Sequence, residues 1–157
     1  MFYEISYFNY DLSDWDVSSV TDMQWMFTYA HAFNQDLSKW DVSRVANMGA
    51  MFAGASAFNQ DLSKWDVSRV TDMQWMFAYA ESFQQTLCGM AWVNSVANQA
   101  DMFSKSPGSI SKTVCGVWEH SYFVHHWCFH ISPSHVSTAT PRTLSSPTDT
   151  CIPTHAH

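Results

Sequence analysis

The chain has 157 residues, the length of one ordinary domain or of a short array of repeats. Acidic residues outnumber basic ones 14 to 7, a formal charge of −7, which argues against the Lys/Arg-rich face that phosphate contacts need and so against a nucleic-acid partner. Aromatics reach 16% and charged residues only 13%, bulk enough for a core and against wholesale disorder, while no uncharged apolar run of about 18 residues marks a membrane span.

The opening residues, MFYEISYF, lack the basic and apolar regions of a signal peptide. Residues 15–39, 40–64 and 65–89 then align without a gap at a period of 25, and the first of these units matches each of the others at 17 of 25 positions. Met1 and Phe2 fall 25 residues before Met26 and Phe27, so the chain opens in the middle of a unit. Either the natural protein continues upstream or the half-unit improvises as a cap, and the first reading is preferred. Downstream, Met102 and Phe103 follow Met76 and Phe77 at an offset of 26. The array is expected over residues 1–103, with units near 1–14, 15–39, 40–64, 65–89 and 90–103.

Each unit carries two patterns in turn. Leu37, Trp40, Val42 and Val45 read as a short strand, with strands expected near 37–42 and 62–67. Met48, Met51, Phe52 and Ala55 then recur at i, i+3, i+4 and i+7, the stripe of a short helix. Helices are expected near 21–30, 46–55, 71–80 and 97–103. One strand and one helical turn cannot bury their own apolar faces, so the units must stack. The expected fold class is α/β, a right-handed, leucine-rich-repeat-like solenoid of 25-residue strand–helix units followed by a mostly irregular C-terminal tail.

The string FNQDLSKWDVSRVTDMQWMFAYA, residues 58–80, resembles the repeat of BspA-like leucine-rich-repeat surface proteins and the related repeat of unknown function in Mycoplasma surface lipoproteins. The resemblance covers residues 1 to about 103. It implies an extracellular or cell-surface interaction or adhesion module, and it supplies no catalytic residues to carry over.

From Ser104 the composition changes. The last 54 residues hold seven of the eight His, three of the four Cys and long Ser/Thr/Pro-rich runs, so 104–157 is read as a poorly ordered tail that is open to question as coding sequence. Cys115, His120, His125, His126, Cys128, His130 and His135 are the only cluster of metal-ligand types, but their spacing fits no standard zinc site, and no metal or cofactor is assigned. The four Cys, with Cys88 in a degenerate unit, give no readable disulfide framework.

Among the repeats, Asp16, Asp41 and Asp66 form an acidic row. A cation such as Ca²⁺ would relieve their repulsion. The preferred reading is structural: each Asp accepts N–H bonds from its own following turn, with Lys39, Lys64, Arg44 and Arg69 near enough to screen the row. Trp25 with Tyr29, and Trp75 with Tyr79, sit four residues apart and off the Met/Phe stripe, while the middle unit has Ala50 and Gly54 at those places. The four aromatics are the candidate binding residues: two walls around a gap of small residues would hold a sugar ring or a partner's side chain, or else the rings lean over and fill the gap. His31 is expected at an exposed, variable position. No G-x-S-x-G, H-E-x-x-H, Walker or G-x-G-x-x-G motif occurs, so no enzyme is expected. The function expected is therefore binding of a surface protein or glycan. The alternatives are a structural spacer or truncated fragment without a ligand and, more weakly, a metal-binding tail. Exposed end units would also invite end-to-end association.

Overall fold

The computed structural model describes residue 2 and residues 4–116. The chain divides into two compact blocks, Met1–Glu119 and His120–His157, and every described residue belongs to the first.

The segments expected as strands form turns instead. Asp36 and Asp41 each take the N–H of the serine two residues on, at 2.8 and 3.0 Å, and Asp61 and Asp66 repeat this one unit later at 2.9 and 3.0 Å. Between them Leu37 takes the Trp40 N–H and Val42 the Val45 N–H. Aspartates and serines bonded to their own backbone offer it an alternative to a ladder, which is why 37–42 and 62–67 are not strands. The residues chosen for the inner face are nonetheless buried: Leu37, Trp40, Val42 and Val45, and in the next unit Leu62, Trp65, Val67 and Val70.

The segments expected as helices near 21–30, 46–55 and 71–80 are not helical either. An α-helix sends each N–H to the carbonyl four residues back. Here Met23, Trp25, Phe27 and Tyr29 send theirs forward to the carbonyls of Asn47, Gly49, Met51 and Ala53, at 2.9, 3.0, 2.9 and 2.8 Å. Met48, Ala50, Phe52 and Gly54 bond in the same way to residues 72, 74, 76 and 78, and Met73, Trp75, Phe77 and Tyr79 to residues 98, 100, 102 and 104. The intervening N–H groups close four-residue β-turns: Met26 onto Met23, Thr28 onto Trp25, Ala30 onto Phe27. Serving both sets of bonds requires the third residue of alternate turns to be left-handed, as in a type II turn, and Trp25 and Tyr29 have φ of 58° and 57°. Parallel bridges Asp22↔Asn47, Asn47↔Asp72 and Asp72↔Asn98 extend the same register. The Met/Phe stripe still points inward, with Met23, Met26, Phe27 and Ala30 buried.

Two ladders of phenylalanine rings run across the units. Phe2, Phe27, Phe52, Phe77 and Phe103 stack at centroid spacings of 5.6, 5.5, 5.6 and 5.5 Å. Phe8, Phe33, Phe58 and Phe83 stack at 5.7, 5.9 and 5.9 Å. Within each of the three complete units the two rings meet at 4.1 Å. Beside them, the indole N–H of Trp40, Trp65 and Trp92 donates to the carbonyl of Leu12, Leu37 and Leu62, 28, 28 and 30 residues earlier. Asn9, Asn34 and Asn59 form an outer row, each accepting from the backbone N–H and a glutamine side chain of the following unit.

The segment expected as a helix near 97–103 is also built of turns, with the Met102 N–H bonded to the Gln99 carbonyl and the Ser104 N–H to that of Asp101. The one α-helix among the described residues, α1, is a single turn at Met90–Val93. It absorbs the residues by which this unit exceeds 25, so that Trp92, 27 residues after Trp65, still reaches the Leu62 carbonyl at 2.8 Å. Residues 104–115, assigned to the tail on composition, are bonded to the preceding unit. Strands β1 (Thr86–Leu87) and β2 (Ser109–Ile110) pair in parallel, Cys115 N–H meets the Cys88 carbonyl at 2.8 Å, and a Cys88–Cys115 disulfide joins the two segments. That bond supplies a pairing that the cysteine spacing alone did not make readable.

Candidate functional site

The left-handed backbone positions recur once per unit in two rows. One row is Trp25, Ala50, Trp75 and Asp101; the other is Glu4, Tyr29, Gly54, Tyr79 and Lys105. Their geometry is fixed by the cross-unit hydrogen bonds, whatever side chain sits there. Left-handed φ costs a residue with a Cβ roughly 1–2 kcal/mol, most for bulky ones, so these are places where glycine or asparagine is favoured. The sequence puts two Trp and two Tyr there. All four side chains stand about half exposed, between 46 and 53%.

Together they line a groove of about 930 Å³. Trp25 and Tyr29 form one wall, and Trp75 and Tyr79 the other. The floor is Ala50, Ala53 and Ala78 with Thr28, whose hydroxyl is buried and spent on the Ala50 carbonyl. Gln24, Asp101 and Ser104 supply the polar rim. The structure thus brings all four candidate residues to one cavity, but on turns and not on the helices expected for them.

The two walls are not equivalent. Trp75 donates its indole N–H to Asp101 Oδ2 at 3.3 Å, and the Lys105 ammonium lies 5.4 Å from the centre of the Tyr79 ring. One unit on from Trp25 the corresponding residue is Ala50, which offers no acceptor. Tyr29 leans over Gly54: a Cβ on that glycine would lie 2.5 Å from Tyr29 Cδ1. The gap of small residues is therefore partly filled at its Gly54 end and open over Ala50. A smaller cavity of about 410 Å³ adjoins this end, sharing Tyr29 and Tyr79 and adding His31, Ser56 and Glu81. His31 is exposed, with Nδ1 3.4 Å from Ser56 Oγ.

Asp101 and Ser104 were not chosen from the sequence. Both follow residues of the third unit, Trp75 and Ala78, at the offset of 26 that relates Met102 and Phe103 to Met76 and Phe77. Extending that offset to every position would have found them.

Asp16, Asp41 and Asp66 each accept the N–H and hydroxyl region of their own turn serine. Hydrogen bonds from Ser18, Ser43 and Ser68 hold their carboxyls below the usual value of 3.8, against slight desolvation; for Asp41 and Asp66 the neighbouring carboxylate opposes the shift and Arg44 and Arg69 assist it. Among the described residues no group of three or more His, Cys, Asp or Glu is placed to hold a metal. Cys115 is in the disulfide, while His120, His125, His126, Cys128, His130 and His135 lie outside the described residues.

A family model described as Mycoplasma protein of unknown function, DUF285, matches residues 1–114. The chain belongs to this family. The DUF285 match spans the whole groove, from Gln24 to Ser104, and stops short of the His/Cys-rich segment. No curated protein and no solved structure matches the chain. Among the described residues no helix is long and apolar enough to cross a membrane.

Proposed function

We propose that this DUF285 member is an interaction module of a cell surface or secreted protein, a binding protein and not an enzyme. In this reading its 25-residue units stack as a leucine-rich-repeat-like solenoid akin to BspA-like surface proteins, and the solenoid binds a protein or glycan through Trp25, Tyr29, Trp75 and Tyr79. The observation that carries the reading is the placement of these four side chains. They occupy left-handed positions that penalise bulky residues, and they leave about half their surface in water, so backbone preference and core packing do not account for them. Rigid aromatic side chains bind at low entropic cost and dominate interface energies, which does account for them. A disulfide between Cys88 and Cys115 supports an oxidising compartment.

The competing reading is a spacer without a ligand, and Tyr29 packed over Gly54 speaks for it. The test is a screen of the full chain on glycan and peptide arrays, with each ligand remeasured against Trp25→Ala and Trp75→Ala. Loss of about tenfold or more in affinity, with an unchanged far-UV circular dichroism spectrum, is the expected result. Tyr7→Ala and Tyr10→Ala, at exposed aromatics away from the groove, are expected to bind as the parent does. An empty screen, or ligands indifferent to both Trp variants, would refute the proposal.

A further inference from the structure

We infer that the groove takes the cationic side chain of a basic peptide segment, a lysine or arginine held between the two aromatic walls over Ala50, in a groove whose lining carries the Asp101 carboxylate. The inference rests on the groove being a binding site and concerns what enters it.

Four observations point to a cation. First, the one charged side chain lining the groove is the Asp101 carboxylate, pinned there by the Trp75 indole. The adjoining cavity adds Glu81, and no lysine or arginine lines either. Second, the walls are aromatic side chains, and indole rings bind cations best. Third, an ammonium already occupies one of these rings: Lys105 Nζ sits over Tyr79, which shows the row can seat a basic side chain and leaves the Trp25 and Trp75 end, beside Asp101, for an incoming one. Fourth, residues 1–103 carry 12 acidic against 4 basic residues, a field that draws in basic segments.

The dimensions agree. Successive units are bonded as parallel strands are, at about 4.8 Å per step, so walls two units apart stand about 10 Å from each other over the Ala50 floor. That space admits one extended side chain flanked by rings on both sides. A sugar fits the chemistry less well. The Thr28 hydroxyl is already bonded to the Ala50 carbonyl, and the one charged lining group, Asp101, favours a cation over a neutral ring of hydroxyls.

The experiment is calorimetric titration of the full chain with three peptides of equal length, alternating Gly with Lys, Glu or Ser, at physiological ionic strength. The Lys peptide is expected to bind and the Glu and Ser peptides are not. Trp75→Ala and Asp101→Asn are each expected to weaken the Lys peptide by about tenfold or more. Asparagine keeps an acceptor for the indole and tolerates the left-handed backbone, so Asp101→Asn removes the charge and leaves the fold. Equal binding of the Ser peptide, or indifference to Asp101→Asn, would overturn the inference. So would binding that ignores Trp25→Ala and Trp75→Ala, which would mark diffuse attraction to an acidic chain. If no peptide binds while an arrayed glycan is lost on Trp25→Ala, the cationic inference fails and the groove survives; if no probe binds at all, both fail.

Discussion

The tryptophan row gives a graded test of how the units hold one another. Trp15, Trp40, Trp65 and Trp92 occupy corresponding places, yet their surroundings differ. Trp40, Trp65 and Trp92 are 4, 2 and 1% exposed and donate to the carbonyls of Leu12, Leu37 and Leu62 at 2.9, 2.9 and 2.8 Å; Trp15 is 49% exposed and, among the described residues, reaches no such carbonyl. Leu37 and Leu62 carbonyls each also accept the backbone N–H of the Trp three residues on, so both lone pairs are used. Replacing Trp65 by Phe removes one of these two bonds, a loss of about 1 kcal/mol, because the carbonyl keeps its other partner. The void left by the smaller ring adds about 1 kcal/mol. Trp40→Phe, Trp65→Phe and Trp92→Phe are therefore each expected to destabilise by about 2 kcal/mol, whereas Trp15→Phe should stay within about 0.5 kcal/mol. At about 3–5 °C per kcal/mol for a folded block of this size, the buried variants lose about 6–10 °C in Tm. Urea and thermal melts followed by far-UV circular dichroism give the comparison. Equal losses at Trp15 and Trp65, or no loss at Trp65, would refute the idea that the indole row ties unit to unit.

Three further outcomes follow from the same geometry. Replacing Cys88 and Cys115 together by serine opens a loop of 27 residues and is expected to cost about 3.5 kcal/mol, with faster amide exchange over Ser109–Cys115 in mass spectrometry; unchanged exchange would mean that the β1–β2 pairing suffices. Gly54→Ala, at φ 69°, is expected to cost about 2 kcal/mol because the methyl strikes the Tyr29 ring as well as straining the backbone, and in the Tyr29→Ala background the cost should fall to about 1 kcal/mol; a purely additive double-mutant cycle would deny the contact. Serine hydrogen bonds depress Asp11, Asp16, Asp36, Asp41 and Asp66 below 3.8 in the folded chain, so their stabilisation is complete above that value and is lost as pH falls through the lower, folded values. Stability is thus expected to be level between neutral pH and about 5 and to decline below about 4, and Ser18→Ala with Ser43→Ala and Ser68→Ala, which remove the hydroxyl bonds and keep the backbone N–H ones, should lessen that decline; an undiminished acid slope in the triple variant would exclude the hydroxyl bonds as a contributor.

The period of 25 and the residues facing inward were legible in the sequence, because burial depends on which residues recur and not on the backbone that carries them. Met23, Met26, Phe27 and Ala30 satisfy i, i+3, i+4 and i+7 equally well on a helix and on a chain of overlapping β-turns. What decides between the two is the sign of φ at Trp25 and Tyr29, and neither residue type announces a left-handed backbone. Gly54, the glycine in those rows, was the available hint. The same ambiguity hid the turns at 37–42, where Asp36 and Asp41 cap serines two residues on while Leu37 and Trp40 keep the alternation of a strand. The four groove residues were legible as a juxtaposition because they lie in register with Ala50 and Gly54. Asp101 and the Cys88–Cys115 pair were not, because the residues added around α1 shift every later match from 25 to 26 or 27.

The claim beneath all of this is that the 25-residue unit is the interchangeable element of the structure. Deleting residues 40–64 removes one whole unit and joins Lys39 to Trp65, which brings the Trp65 indole to the Leu12 carbonyl and Phe77 and Phe83 onto Phe27 and Phe33. Equilibrium urea unfolding of that variant is the most direct measurement. The account predicts a cooperative transition with a smaller denaturant slope, since less surface is buried, while a deletion of residues 40–58, out of register, yields an unfolded chain. An unfolded in-register variant, or two deletions that fold equally well, would contradict it.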